Sequence, residues 1–431
     1  MTIRNWRAGR GGSWTLIGCA LLCFLAGRLS GQHTAPAPRI DLDLAMQLAI
    51  AHNHALKAAR TEVEQSQADE VTAAIRPNPV FNYDDLFIPL VPSQFTGSTL
   101  NTITEFDVGL TYTWERGHKR AARIRAARDQ TTVTRYQVDD AERGLVYNVS
   151  QQFIQVLLAK SNLDLAREDL KSFQQTVDLS EERYKAGAIS EGDLLKIKIQ
   201  LLQFQTDVSS AGLALVQAKA SLRQLLGYES VPADYDVIGD LAFVPLKLNK
   251  QDVQMRALEL RPDFLAATQG VEAAQSQHQL ARANGYRSVS TTLDYTHVTA
   301  LNTASFIFNM EIPIFDRNQG EIARTQYAIT QAEENRTAAQ EQVMTDVSNA
   351  YEQVASNGQI VQLFQSGYLK QSEDSRDISE YAYKRGAASL LDYLDAERSY
   401  RATQLAYRQS LANFMLSLEQ LRESVGTRNL P

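Results

Sequence analysis

Cysteine is nearly absent from this sequence. The 431 residues include only two cysteines, Cys19 and Cys23, and both lie in an apolar segment near the N-terminus. If that segment is removed during export, the remaining chain has no thiol, no disulfide and no cysteine metal site.

Long apolar runs and excess positive charge are lacking as well. Beyond the N-terminal segment the sequence has no uninterrupted apolar stretch of about 18 residues, the length typical of a membrane-spanning helix. If the chain crosses a membrane, it must therefore do so as β-strands. The 43 lysines and arginines and the 50 aspartates and glutamates give a net charge of -7, which argues against nucleic acid as a partner.

The N-terminus has the pattern of a secretory signal peptide. Arg4, Arg7 and Arg10 precede an apolar run over residues 14–27, and small or polar residues follow it. The run has about 14 residues, fewer than the roughly 20 that a permanent transmembrane helix needs. We predict a cleaved signal peptide over residues 1–31.

Cys19 offers an alternative fate for this segment. The tetrapeptide Leu16-Ile17-Gly18-Cys19 matches the one that precedes lipid attachment in bacterial lipoproteins. Only about five apolar residues precede Cys19, fewer than a signal-peptide core usually has. Lipidation of Cys19 therefore remains the alternative interpretation of the N-terminal segment.

The rest of the chain contains an internal sequence repeat. Seven residues between Ala49 and Ala73 recur 208 residues later, between Ala257 and Ala281. A second motif recurs 199 residues later, first as Tyr184-Lys185-x-Gly187-Ala188-x-Ser190-x-x-Asp193 and then as Tyr383-Lys384-x-Gly386-Ala387-x-Ser389-x-x-Asp392. A shorter loop in the second half, near residues 299–303 against 89–103 in the first, accounts for the change in spacing.

The repeat predicts the domain organisation. Residues 32–227 form a first structural repeat and residues 253–426 a second, separated by a connector over residues 228–252 and followed by a tail over residues 427–431. Each repeat is predicted to contain a helix, two strands, a very long helix, a tight turn and a final helix.

The predicted strands alternate apolar and polar residues, as a sheet with one apolar face does. They cover residues 106–114, 289–296 and 306–314, with a weaker fourth over residues 80–88. A soluble, half-buried sheet gives the same alternation, but four strands of nearly membrane-spanning length in an exported chain favour an outer-membrane barrel. About eight strands is the smallest number that closes a barrel, so several protomers must contribute, and three would give twelve strands.

The helix predicted over residues 121–185 would be about 100 Å long at 1.5 Å per residue. Apolar residues recur every seven positions here and in the second half, which makes a narrow supercoiled seam; they are Val149, Val156, Leu163, Leu170, Val177, then Val347, Val354, Val361 and Tyr368. The other faces are polar, as in a thin-walled tube. A soluble coiled-coil scaffold would show the same seam.

Each long helix is predicted to end in a reversal. Gly187 and Gly386 supply the permissive backbone that ends a helix, and Ser190 with Asp193, like Ser389 with Asp392, has the spacing of a capping box.

We find no catalytic constellation in the sequence. His52 and His54 are two residues apart and do not share a helix face, so a metal site there is not expected. A basic cluster follows the second strand, and we interpret it as a solvated or lipid-headgroup face; its members are Arg116, Lys119, Arg120, Arg123, Arg125 and Arg128.

These residues resemble the TolC-like outer-membrane efflux factors over nearly the whole mature chain. The resemblance rests on the two Tyr-Lys-x-Gly motifs and on the segment Asp392-Tyr393-Leu394-Asp395-Ala396. The octapeptide Pro313-Ile314-Phe315-Asp316-Arg317-Asn318-Gln319-Gly320 is similar to the heavy-metal-efflux branch of that family.

The resemblance implies a fold that is mainly α with a small β part: antiparallel coiled-coil helices form an α-barrel, and four transmembrane strands per protomer contribute to a twelve-stranded barrel. It implies a homotrimer in outer-membrane lipid that needs no cofactor, has no enzymatic activity and acts as a passive exit duct. Its partners would be a periplasmic adaptor (membrane fusion) protein and an inner-membrane pump of the RND type. A duct for drug efflux or type I protein secretion remains the alternative, and a soluble scaffold is a more distant one.

The resemblance also implies functional residues at the two tips. Those expected to dock the adaptor are Gly187, Ala188, Ser190, Gly386, Ala387 and Ser389. Asp392 and Asp395 match aspartates that line the closed constriction, and Tyr383 with Asp193 matches a hydrogen bond that holds the hairpins closed. Ala388 stands where the family has an arginine, so one closing link is expected to be missing.

Overall fold

The structure, a computed structural model, describes residues 38–102, 104–245, 248–299 and 301–430. The predicted signal peptide and Cys19 lie outside these residues. Within the described part of the chain, none of the helices combines the length and the apolar composition that crossing a bilayer requires.

Helices make up most of the described chain and strands a small part, which confirms the predicted balance. The elements follow in the order β1 (Arg39–Ile40), α1 (Leu42–His52), α2 (His54–Ala74), β2 (Val80–Leu86), a 3-10 turn (Pro92–Gln94), α3 (Gly97–Thr102), β3 (Glu105–Trp114), α4 (Lys119–Lys185), α5 (Glu191–Leu226), β4 (Asp236–Val237), α6 (Lys250–Leu260), α7 (Pro262–Asn284), β5 (Val289–Val298), β6 (Leu301–Met310), α8 (Gln319–Leu363), a π turn (Phe364–Tyr368), α9 (Leu369–Lys384) and α10 (Leu390–Val425).

The four long strands form one antiparallel sheet in the order β2-β3-β5-β6. The pairing of β3 with β5 joins the two halves of the chain, with Phe106 opposite His297 and Leu110 opposite Leu293. Strands β2 and β6 are the two edges, and each has one side without a strand partner in the described protomer.

The prediction for β6 was wrong by several residues. The sequence alternation suggested a strand over residues 306–314, whereas β6 pairs from Leu301 to Met310. Pro313 has no amide hydrogen, so it cannot donate to a strand ladder. The apolar alternation at Ile312 and Ile314 therefore lies beyond the end of the paired strand. The loop expected near residues 299–303 is correspondingly shorter.

Helix α4 is continuous over 67 residues, as predicted, and Val149 and Val156 in its seam are fully buried. The corresponding helix of the second half is not continuous. A π turn interrupts it at Gly367, whose φ of 140° is one that residues other than glycine rarely adopt. This break moves Tyr368 out of the seam, and its 56% exposure contradicts the predicted sevenfold repeat at that position.

The first part of the connector over residues 228–252 packs against the first half, whereas Phe243 and Leu248 pack against the core of the second half. Val231, Tyr235 and Val237 are buried in the core that α1, α4 and α5 form, and β4 pairs in parallel with β1. The Tyr235 hydroxyl donates to the Lys219 carbonyl oxygen at 2.7 Å. The residue boundaries of the repeats and of the tail stay predictions.

The basic cluster after β3 has a structural role that the sequence interpretation missed. Arg123 donates to the carbonyl oxygens of Ala73 and Ile75 at 2.8 and 2.9 Å, and Arg120 donates to that of Ala74 at 2.6 Å. These carbonyl groups end α2, where helical partners run out. These two arginines therefore also cap the end of α2, a role that the sequence interpretation did not include.

Candidate functional site at the helix tips and the strand face

The two helix reversals have nearly the same geometry. Gly187 and Gly386 have φ values of 73° and 75°, and the residue after each donates to a carbonyl oxygen five residues back, at 2.8 Å in both cases. This is the helix ending that a left-handed glycine allows. The six residues predicted to dock an adaptor are all exposed at these turns.

The serines and aspartates of the turns cap the helices that follow. Ser389 accepts from the Asp392 amide at 3.2 Å, and Asp392 accepts from the Ser389 amide at 3.2 Å, which completes the predicted capping box. Ser190 accepts from the Asp193 amide at 3.1 Å, and the Asp193 carboxylate accepts from the Ser190 hydroxyl at 2.8 Å. Both aspartates are therefore engaged within their own turns.

The two hairpins pack together beside these turns. A cluster of buried side chains draws on α4, α5, α9 and α10, and it consists of Phe173, Val177, Ile197, Phe204, Tyr383, Leu390 and Tyr393. Arg183 crosses from the first hairpin to the second and donates to the Tyr383 carbonyl oxygen at 3.1 Å. Asp392 and Asp395 are exposed on α10, three residues apart and so on one helix face.

The hydrogen bond expected between Tyr383 and Asp193 is not formed in this protomer. The Tyr383 ring stacks on Tyr393, with centroids 5.4 Å apart and planes within 7°, and its buried hydroxyl has no partner among the described residues. Asp193 is held by Ser190 and pairs with Lys196 at 3.5 Å. In this protomer each of the two residues makes other contacts instead.

These two tyrosines give a matched test. Tyr383→Phe removes a buried hydroxyl that has no partner among the described residues. We therefore expect the free energy of unfolding of the detergent-purified protein, followed by thermal unfolding, to rise by up to about 1 kcal/mol. Tyr393→Phe removes a hydroxyl 3.3 Å from the Thr176 hydroxyl, and we expect a loss of about 1 kcal/mol. A larger loss for Tyr383→Phe would indicate that its hydroxyl finds a partner in the assembled protein.

A charged network lies further along the same helices, and sequence reasoning missed it. Arg401 on α10 bonds Asp169 on α4 at 3.0 Å and also pairs with Asp207 on α5. Its guanidinium lies 4.3 Å from the centroid of the Phe204 ring. Since these residues are up to 232 positions apart, no local spacing could have revealed them.

The strand register separates the sheet into two faces, because residues directly opposite each other point the same way. One face is mostly polar and carries four acids, Asp84, Glu105, Asp107 and Asp294. The described strand residues of this face include no lysine, arginine or histidine. Buried carboxylate oxygens of Asp107 and Asp294 have no hydrogen-bond partner among the described residues.

Gly109 makes room for one of these acids. It lies directly opposite Asp294, and a Cβ at position 109 would overlap the Asp294 carboxylate.

The opposite face is apolar and uncovered. Nine of its large side chains are 42% to 68% exposed, far more than a protein core allows; they are Phe81, Tyr83, Leu110, Trp114, Leu293, Tyr295, Phe306, Phe308 and Met310. A contiguous apolar face of this kind needs a covering phase or partner.

The octapeptide over residues 313–320 forms the turn between β6 and α8. Asp316 accepts from the Asn318 amide at 2.8 Å and pairs with Arg287 at 2.9 Å. The Asn318 side chain donates to the Ala281 carbonyl oxygen at 2.6 Å. These contacts fix where α8 begins relative to α7.

Histidines do not assemble a metal site in the described chain. The His54 ring lies 2.8 Å from Glu229 and is 70% exposed, and no group of three or more His, Cys, Asp or Glu residues is arranged to hold a metal ion within the described residues.

Comparison with known proteins identifies the family. The family model for the outer membrane efflux protein matches residues 45–228 and 254–427. The probable outer membrane lipoprotein SilC of Salmonella typhimurium is 27% identical, over 83% of this chain and 79% of its own. The cobalt-zinc-cadmium resistance protein CzcC of Cupriavidus metallidurans is 23% identical, over 85% of each chain. The solved structure of the Campylobacter jejuni CmeC outer membrane channel has a TM-score of 0.74 at 17% identity, over 89% of this chain and 85% of that one, which supports the fold.

Proposed function

The chain belongs to the outer membrane efflux protein family, and we propose that three copies form a passive exit duct for metal cations, supplied by an inner-membrane pump of the RND type through a periplasmic adaptor. The protein is an outer-membrane efflux channel component. The observation that carries the proposal is the four-stranded sheet, with its apolar face, its acidic face and two edges that have no strand partner among the described residues.

The free edges argue for assembly. Unpaired strand edges in a bilayer are costly, because no water is available to bind their amide and carbonyl groups. Three copies placed edge to edge close a barrel of twelve strands, which four strands cannot do alone. The exposed aromatic and aliphatic face then lies against lipid, and the acidic face lines the passage.

The acidic face argues for a cationic cargo. Four carboxylates per protomer, with no basic residue among the described strand residues of that face, create a negative potential that concentrates cations and excludes anions. The name of CzcC and the octapeptide over residues 313–320 support metal ions as the cargo. The octapeptide also has a structural role at the β6–α8 junction. Its similarity to the heavy-metal-efflux branch rests on its sequence.

The tips supply the gate and the docking surface. Each tip follows a helix that starts beside the sheet and runs up to about 100 Å, so the tips lie at the pump end of the duct. Asp392 and Asp395 from three copies would form a second negative ring there, and the exposed turns at Gly187 and Gly386 would meet the adaptor.

The direct test is mass measurement of the detergent-purified protein, where we expect a trimer. A parallel deletion strain should lose tolerance to divalent metals, with wild-type protein restoring it. A monomer in detergent would contradict the assembly, and sensitivity to bulky drugs with unchanged metal tolerance would reassign the cargo to drug efflux.

A further inference from the structure

Glu397 on α10 is a buried acid that the proposed gate does not use. It is only 9% exposed and lines a cleft of about 350 Å³ between α5 and α10, together with Gln200, Gln203 and Asp207. It lies on the same helix as Asp392 and Asp395, just beyond the tip.

Two arginines whose charges act on Glu397 are already engaged. Arg401 is held by Asp169 and Asp207. Arg376 on α9 pairs with Asp377 at 2.6 Å, and its guanidinium lies 4.0 Å from the centroid of the Tyr400 ring. Within the described chain, no hydrogen bond to the Glu397 carboxyl group is found.

The other charged groups around Glu397 do not supply the hydrogen-bond partner that its carboxyl group lacks. Asp169 faces it from α4, and Glu380 faces it from α9, where Glu380 pairs with Lys384 at 2.6 Å. Arg398, which also lines the cleft, pairs with Asp395 at 3.3 Å. Burial and, after it, repulsion from Asp169 raise the pKa of Glu397 to about 7, with Arg376 and Arg401 opposing the rise.

We propose that Glu397 is a proton-binding site that couples the packing of the tip helices to the pH around them. As a neutral acid, Glu397 lets α10 pack against α4 and α5. As a carboxylate, it adds an unpaired buried charge beside Asp169 and loosens that packing. The proposal rests on the proposed function only in placing this site beside the gate of a duct, which would then close more firmly in acid.

The direction of the pH effect on tip packing follows from the difference in the pKa of Glu397 between the packed and opened states. In an opened tip, Glu397 regains the ordinary pKa of a glutamate, about 4.3. Because the packed state holds its proton more tightly than the opened state, packing weakens as the pH rises from about 4.5 through 7. Between pH 5 and pH 8 the opening equilibrium should shift by about ten- to a hundredfold.

Amide hydrogen exchange of residues 390–400, in the detergent-purified full-length protein, measures this opening. After division by the intrinsic exchange rate at each pH, protection in the wild type should fall about ten- to a hundredfold from pH 5 to pH 8. Glu397→Gln should flatten the profile. Glu373→Gln, which neutralises an acid on α9 whose side chain is 44% exposed, should follow the wild type.

Parallel profiles for the wild type and Glu397→Gln would overturn the proposal, as would a flat wild-type profile. If Glu397→Gln does not fold, Glu397→Met replaces it; its profile should also be flat, and a profile parallel to that of the wild type would overturn the proposal. The exchange experiment does not depend on transport: a failure of the duct in mass or tolerance measurements would leave its result standing.

Discussion

Replacing Arg261 with methionine is expected to lower the free energy of unfolding by about 3 kcal/mol. The Arg261 side chain is 4% exposed and forms two ion pairs, with Asp263 at 2.6 Å and with Asp346 at 2.9 Å. A third bond runs to the Ser424 carbonyl oxygen at 3.4 Å. Removing one member of a buried pair leaves its partners uncompensated and typically costs 3 to 5 kcal/mol. The two aspartates are about one-third exposed, so water offsets part of the loss.

The expected loss depends on pH in a definite direction. Burial opposes ionisation of Asp263, but hydrogen bonding and attraction from Arg261 outweigh it and lower its pKa. The contribution of the pair is therefore present above the ordinary aspartate pKa of about 3.9 and disappears as the pH falls through the lower folded value. The difference in stability between wild type and Arg261→Met should accordingly shrink below about pH 4.

Thermal unfolding of the detergent-purified protein, followed by circular dichroism, checks this prediction. Arg324→Met is the matched control, because Arg324 also forms an ion pair in the second half of the chain but its side chain is 68% exposed; its replacement should leave the unfolding midpoint nearly unchanged, since exposed ion pairs contribute little. Equal midpoints for the two variants would contradict a central role for Arg261.

The second large effect is expected for ion selectivity. Changing Asp84, Asp107 and Asp294 together to asparagine should reduce the preference for cations over anions by about tenfold in planar bilayers, because the polar face of the sheet loses three of its four carboxylates. Asparagine preserves the size of each side chain, so the sheet should still pair.

Asp85→Asn is the matched control for this experiment. Asp85 lies on β2 but belongs to the apolar face, where it accepts from the Tyr83 hydroxyl at 2.7 Å, so its replacement should leave selectivity unchanged. A variant with Asp392→Asn and Asp395→Asn separates the contribution of the tips. If the triple variant conducts with wild-type selectivity, the acidic face does not line the passage.

The sequence by itself determined the type of each main element. Period-two alternation located β3 and β5 because a strand with one apolar face repeats every two residues. Sevenfold spacing without proline located α4, and the Gly-x-x-Ser-x-x-Asp spacing located both reversals. These are local signals, since each depends on neighbours within a few residues.

Only the tertiary structure decided which distant residues meet. The end of β6 at Met310 follows from its pairing with β5, and the acidic face emerges only when β3 pairs with β5 across 181 positions, as Thr111 and Thr292 do. The break at Gly367 and the partners of Arg261 are likewise invisible in local spacing. Long-range pairs of this kind depend on how helices and strands pack, and packing is a property of the whole chain that periodicity does not encode.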